Sequence, residues 1–144
     1  IGEGLAYTFG YAYTEAEFVE DGGLYTDSIV GGAKLPGHSK NMLAASLAYS
    51  MQIDGNPLDI GTDVFYRSDY DNALPGNFNE YDIDSITIWN VNASYQVGSW
   101  RVGLFAKNLA DENSVVSAAN IRSASNYEVI TRPRTVGLSL TYEM

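Results

Sequence analysis

The stretch Arg134-Thr135-Val136-Gly137-Leu138-Ser139-Leu140-Thr141-Tyr142-Glu143-Met144 alternates without a slip. In an extended chain successive side chains point to opposite sides. Val136, Leu138, Leu140, Tyr142 and Met144 therefore share one face, and Thr135, Gly137, Ser139, Thr141 and Glu143 share the other. One face is apolar and the other small and polar. The run also has the length, about 9 to 11 residues, that a tilted strand needs to cross a bilayer.

The same period recurs upstream. From Leu5 to Phe18, Leu5, Tyr7, Phe9, Tyr11 and Tyr13 oppose Ala6, Thr8, Gly10, Ala12 and Thr14. From Leu43 to Ile53, Leu43, Ala45, Leu47, Tyr49, Met51 and Ile53 oppose Ala44, Ser46, Ala48, Ser50 and Gln52. Leu58, Ile60, Thr62, Val64 and Tyr66 oppose Asp59, Gly61, Asp63, Phe65 and Arg67. Trp89, Val91, Ala93 and Tyr95 oppose Asn90, Asn92, Ser94 and Gln96, and Trp100, Val102, Leu104 and Ala106 oppose Arg101, Gly103, Phe105 and Lys107. This predicts about six antiparallel strands. Asp54-Gly55-Asn56-Pro57 and Val97-Gly98-Ser99 read as tight turns, whereas Glu20 to Gly37, Tyr70 to Asp84 and Leu109 to Arg132 are long and polar. In an up-and-down sheet this parity gathers the short turns on one rim and the long connections on the other, the arrangement of transmembrane barrels with periplasmic turns and extracellular loops.

Period alone does not say which face meets solvent, because a soluble ligand-binding barrel alternates too. The polar face decides. A water-facing surface carries about 25 to 35% charged residues. Here that face is mostly Ala, Gly, Ser, Thr, Asn and Gln, and most charges sit in the long connections. Small neutral side chains suit a crowded or hydrated bore, and Leu, Val, Tyr and Trp on the opposite face suit lipid. Tyr is the dominant aromatic, eleven against five Phe and two Trp. Such amphipathic rings collect at membrane interfaces. Tyr7, Tyr11, Tyr13, Tyr49, Tyr66, Trp89, Tyr95 and Trp100 are the expected membrane girdle.

The net charge of -10 leaves too few cations to neutralise phosphates, which argues against a nucleic-acid partner. No run approaches the roughly 18 apolar residues of a membrane-spanning helix. The absence of cysteine removes thiol chemistry, and a barrel closes by hydrogen bonds without it.

The closing strand, through Thr135, Gly137, Leu140 and Tyr142, resembles the C-terminal signal read by the barrel-assembly machinery of Gram-negative bacteria. Barrel strands carrying that signal commonly end in an aromatic residue, where this chain has the apolar Met144. The preceding run and its exit, Val102-Gly103-Leu104-Phe105-Ala106-Lys107-Asn108-Leu109-Ala110-Asp111-Glu112, resembles the penultimate strand of TonB-dependent receptors, which often runs into an Asn-Leu-x-Asp segment. Arg132-Pro133-Arg134-Thr135-Val136-Gly137-Leu138 and the strand entry at Pro36-Gly37-His38-Ser39 are similar to that family as well. The resemblance implies the C-terminal part of a roughly 22-stranded plugged barrel in the bacterial outer membrane. It implies uptake of a scarce solute such as a ferric siderophore, cobalamin or a glycan. The implied partners are outer-membrane lipid, the remainder of the barrel, a plug domain, and a TonB-type energy-coupling protein acting through the missing part. About six strands cannot close alone, so residues 1–144 are expected to be a piece of a longer barrel, with earlier strands and plug elsewhere.

Catalysis is not expected. His38 is the single histidine, so a Ser-His-Asp relay or a two-His metal site has at most one centre. Asp69 with Asp71, Asp82 with Asp84, and Asp111 with Glu112 form no EF-hand spacing, and they read as solvated loop charge. Asn92-Ala93-Ser94 matches a glycosylation acceptor but lies within a strand. No cofactor and no metal are expected. Arg67, Arg101 and Lys107 fall on the bore face with Asp59 and Asp63, and salt bridging is their expected role. The ligand-contact candidates are Arg67, Phe105 and Lys107 on that face, with Arg122, Asn126 and Tyr127 in the longest connection. Two other architectures fit the pattern less well: a soluble ligand-binding barrel, and a closed eight-stranded structural or adhesive barrel. The latter requires a further hairpin within Leu109 to Arg132, for example Ser114 to Ile121 with Asn126 to Thr131.

Overall fold

The computed structural model describes residues 4–21, 30–74, 77, 80–121 and 125–143. Within them lie ten strands: β1 (Gly4–Tyr13), β2 (Asn41–Ile53), β3 (Asn56–Arg67), β4 (Tyr70–Asp71), β5 (Asp82–Ile83), β6 (Ile86–Val97), β7 (Trp100–Lys107), β8 (Val115–Ile121), β9 (Ser125–Ile130) and β10 (Thr135–Tyr142). Six of these build one antiparallel sheet in the order β1-β2-β3-β6-β7-β10. The fold is all-β, and the sheet is open in this structure, with β1 and β10 as its edges.

Register carries each alternating pattern across to the next strand. One row runs Leu5, Tyr49, Ile60, Ala93, Leu104, Leu138, and the row beside it Tyr7, Leu47, Thr62, Val91, Ala106, Val136. The opposite face carries Ser50, Asp59, Ser94, Gly103 and Ser139 in one row, and Gly61, Asn92, Phe105 and Gly137 in another. A one-residue slip at any pair would mix the faces, and the six-stranded sheet has none. The result is a continuous apolar surface on which Tyr7 is 80% and Val136 71% exposed.

Only Ile83, Ile86, Ala106 and Ala118 are buried hydrophobics among the described residues. The chain exposes 9911 Å², against about 7,300 Å² for a compact monomer of 15.7 kDa. An apolar face of this extent is not one that a soluble monomer leaves open to water.

Both tight turns occur at one rim. Asp54 and Gly55 both have positive φ, 51° and 77°, the backbone of a two-residue hairpin whose twist matches its strands. The predicted four-residue turn is thus shorter than expected, and Asn56 and Pro57 already belong to β3. Gly98 (φ 58°) turns β6 into β7, and β10 ends beside that turn, with Glu143 N donating to Ser99 O at 2.8 Å. The long connections lie at the opposite rim.

One strand expectation requires correction. The first strand stops at Tyr13 rather than reaching Phe18. Beyond Thr14 the chain leaves β2 and pairs with its own connection instead, through the Glu17–Lys34 bridge and the bond from Phe18 N to Ala33 O at 2.9 Å. The long connection from Leu109 to Arg132 holds a hairpin, β8–β9, within a residue of the bounds considered for one there and bulged between Val115 and Ser117. That hairpin is a separate two-stranded sheet, and β7 pairs directly with β10. It therefore adds no strands to the six-stranded wall, as an eight-stranded closed barrel would require.

The long connections are joined to one another at their rim. Gly37 N donates to Asp71 O at 2.7 Å, Tyr70 Oη to Val116 O at 3.2 Å and Asn72 Nδ2 to Ala118 O at 2.8 Å. Ile83 is fully buried, and Ala118 is buried as well.

Candidate functional site

Charged and hydrogen-bonding side chains converge on the small, polar face of the sheet and the connections above it. Near the short-turn rim Arg101 forms its centre. Its Nη1 lies 3.3 Å from Asp59 Oδ2, its Nη2 donates to Gln96 Oε1 at 2.7 Å, and its Nε is 3.7 Å from Glu143 Oε1. Ser50 Oγ donates to the other Asp59 oxygen at 2.7 Å. This network spans β2, β3, β6, β7 and the end of β10, so the expected salt bridging of Arg101 with Asp59 is present. Asp63 meets an amide instead of a cation, accepting from Asn90 Nδ2 at 2.7 Å.

Midway along the strands the wall is shaped by missing Cβ atoms. A Cβ on Gly137 would overlap the Phe105 ring, one on Gly103 would overlap Ser139 Oγ, and one on Gly61 would sit 2.7 Å from Asn92 Oδ1. Phe105 lies over the Gly137 backbone across the β7–β10 pair. Lys107, one step further along the same face, has its ammonium 5.9 Å from the Phe105 ring centroid.

At the long-connection rim Asn108 acts as a clamp. It is 4% exposed with φ 50°, a left-handed conformation that Asn tolerates better than most residues. Its Nδ2 donates to Glu112 O at 2.8 Å and Arg132 O at 2.9 Å, and its Oδ1 accepts from Glu112 N at 2.8 Å. Thr131 Oγ1 donates to Glu112 O at 2.6 Å, and Arg134 N to Asp111 Oδ1 at 2.9 Å. The Asn-Leu-Ala-Asp-Glu segment thereby fixes where β7 ends and closes the base of the β8–β9 hairpin. Sequence reading noted the motif but gave Asn108 no role. Its signal was an Asn at the end of an alternating run.

The hairpin base and Thr131-Arg132-Pro133 lie over the polar face and border an open recess of about 370 Å³ with Phe65, Ile86, Ile88, Asn90, Lys107, Asn108 and Val116. Phe65 pairs with Ile88, and the next position inward on β6 is Asn90. Phe65, Ile86 and Ile88 were missed as a group. Their signal was parity: extending the Trp89 run back to Ile86 places both isoleucines on the same side as Asn90.

The expected site residues are only partly gathered. Phe105 and Lys107 are neighbours on β7. Arg67 ends β3 on the same face with β6 between, its guanidinium 4.6 Å from the Tyr70 ring centroid, and its Nε and Nη2 are buried without a hydrogen-bond partner. Tyr127 lies on β9 opposite Ala119 and is 49% exposed. Asn126 falls in β9 opposite Asn120. Arg122 and Met144 lie outside the described residues.

On the apolar face, Tyr11 and Tyr66 flank Leu43 towards the long connections. Tyr95 stands opposite Leu58 towards the short turns, and the Trp100 and Tyr142 rings are 4.9 Å apart at the rim itself. Tyr66 and Leu58 are eight residues apart on β3, about 27 Å of strand. Tyr7 lies in the row between these groups.

In the connections, Lys40 Nζ donates to Glu15 Oε1 at 2.6 Å, which holds the Glu15 carboxyl below its ordinary range and raises the Lys40 ammonium. Asp71 sits opposite Asp82 in the β4–β5 pair. Burial first, and then the facing Asp82 carboxyl, push the Asp71 carboxyl upward. Asp71 thus meets Asp82 rather than its sequence neighbour Asp69. The bond from Tyr81 Oη to Glu128 Oε1 at 2.7 Å raises the Tyr81 phenol.

His38 lines a recess of about 180 Å³ with Glu15, Lys34, Lys40 and Asp71, and its Nδ1 has no hydrogen-bond partner. It therefore lacks the carboxylate contact that a catalytic relay needs. Among the described residues no group of three or more His, Cys, Asp or Glu side chains is placed to hold a metal ion.

The family model described as "TonB dependent receptor-like, beta-barrel" matches residues 3–109, which takes in β1 to β7. No curated protein and no solved structure matches the chain.

Proposed function

The chain belongs to the TonB-dependent receptor-like β-barrel family, whose barrels serve transport across the bacterial outer membrane, and on that premise we propose that its six-stranded sheet is the C-terminal part of the barrel wall. The remainder of the barrel and a plug domain complete it. A TonB-type protein supplies energy through the plug. The solute is scarce and too bulky for a general pore: a ferric siderophore, cobalamin or a glycan. Arg67, Phe105 and Lys107 line its path from the wall, and Arg122, Asn126 and Tyr127 meet it from the connection above. Tyr7, Tyr11, Tyr13, Tyr49, Tyr66, Trp89, Tyr95 and Trp100 anchor the wall in lipid. Thr135, Gly137, Leu140, Tyr142 and Met144 are read by the barrel-assembly machinery, to which the edge strand β10 offers a free row of backbone groups.

One observation carries this reading: an unbroken apolar face across six strands, backed by a face of small and hydrogen-bonded polar side chains, with the short turns on one rim. Greasy residues belong against hydrocarbon on the outside of such a wall. The chain has no cysteine, which makes single-cysteine labelling direct. In native outer-membrane vesicles, cysteines at Leu104, Leu138 and Leu140 are expected to react with a lipid-soluble maleimide and to resist a charged one. Cysteines at Ser94, Ser139 and Thr141 are expected to be shielded from the lipid-soluble reagent. The opposite pattern overturns the proposal.

A further inference from the structure

The recess under the β8–β9 hairpin combines large apolar walls with cations that make no ion pair among the described residues. Phe65, Ile88, Val116 and Pro133 give it large apolar walls, on a face that, Phe105 apart, is otherwise built mostly from small or hydrogen-bonded residues. Its two cations, Lys107 and Arg132, line it as well, and neither makes an ion pair among the described residues. Elsewhere Lys40 is paired with Glu15, Arg101 with Asp59 and Glu143, and Arg134 with Asp111, whereas Arg67, over the Tyr70 ring, and Lys34 likewise make no ion pair among the described residues.

In a chain with 18 Asp and Glu against 8 Lys and Arg, carboxylates are abundant, yet none among the described residues is supplied to these two cations. The nearest aromatic contact of Lys107 is the Phe105 ring, 5.9 Å away, which leaves the ammonium free to accept an anion. The recess is bounded by the Asn108 clamp and the sheet as well as by the hairpin base. Pockets of about 300 to 1,000 Å³ with apolar walls and a few placed polar groups are the usual form of small-molecule sites.

Resting on the transport reading above, we propose that this recess is a solute subsite that takes the apolar or aromatic limb of an anionic solute, with Lys107 and Arg132 holding its carboxylate or equivalent acid group. The limb lies against Phe65 and Ile88 beneath the hairpin. This narrows the substrate class: acidic solutes carrying an apolar group are favoured over neutral glycans.

The test uses the complete receptor polypeptide in lipid nanodiscs, with 2-naphthoate and the neutral 2-naphthylmethanol as probes, and equilibrium dialysis corrected by protein-free nanodiscs. The acid is expected to bind more tightly than the alcohol. Lys107→Gln with Arg132→Gln is expected to weaken the acid by about a hundredfold, the loss of two charge-assisted contacts, and to leave the alcohol unchanged. Ile88→Ser is expected to weaken both probes, whereas Lys34→Gln, in another connection, leaves both unchanged.

Equal binding of acid and alcohol overturns the inference, as does an unchanged acid affinity in the double variant. A photo-crosslinking residue at Ile88 that captures a plug segment, with no naphthoate bound, also overturns it. Each variant is checked for outer-membrane flotation and for a heat-dependent gel shift. Failure of the unmodified polypeptide in those two assays refutes the barrel reading itself, and a folded, inserted barrel without charge discrimination refutes only the subsite.

Discussion

Gly137 and Phe105 show how a wall of small residues accommodates a large one. The ring occupies the space that a Cβ on Gly137 would need, and it covers an otherwise bare strand backbone, as aromatic residues do when they compensate a glycine in a sheet. Gly137→Ala is expected to destabilise the complete barrel by about 1 to 3 kcal/mol, the usual cost of overpacking. Adding Phe105→Leu should recover most of that loss because the obstructing ring is gone. Urea unfolding of the two variants in detergent micelles checks this, and an additive double variant contradicts the contact. Asn108 makes the related point that one polar side chain can end a strand, through three hydrogen bonds to the backbone of two later segments.

Among the elements, the connections respond to pH in opposite directions. Asp71 in β4 has its carboxyl raised by burial and by Asp82 in β5. A carboxyl raised in the folded state contributes stability that is fully present below the ordinary value of 3.8 and is lost as pH rises through the folded value. Glu15 is lowered by the hydrogen bond from Lys40. Its contribution is therefore present above the ordinary 4.5 and is lost as pH falls through the folded value. Acid thus tightens the β4–β5 pair and loosens the tie between the exit of β1 and the entry of β2. Amide exchange at Ile83, corrected for the intrinsic pH dependence of exchange, is expected to slow on acidification. In Asp82→Asn that dependence should flatten, because the facing charge is gone. A slope unchanged by the substitution contradicts the assignment.

For the whole molecule, the governing fact is an open sheet with two bare edges and an apolar face far larger than its buried core. Backbone groups on such edges have no partner in lipid, and in water they template association. Refolded alone into detergent, residues 1–144 are expected to aggregate or to give no heat-resistant band, while the complete polypeptide gives one. A heat-resistant monomer of this chain alone contradicts the proposal that it is part of a larger wall.

The six wall strands, their faces and the rim of each connection were legible in the residues, because a strand's period of two is a local property of the backbone and register only propagates it. Leu138 and Ser139 declare opposite faces without reference to any other strand, and the family resemblance read from Asn108 to Asp111 rests on equally local motifs. Tertiary structure decided what local pattern does not encode. It ended β1 at Tyr13, where pairing with Ala33 and Lys34 replaced pairing with β2, and it closed β8 on β9 despite their weak alternation. It also brought Val116 and Pro133 over Phe65 and Ile88 and left Lys107 without a carboxylate partner among the described residues. Those outcomes depend on contacts between residues far apart in the chain, and only their packing settles such contacts.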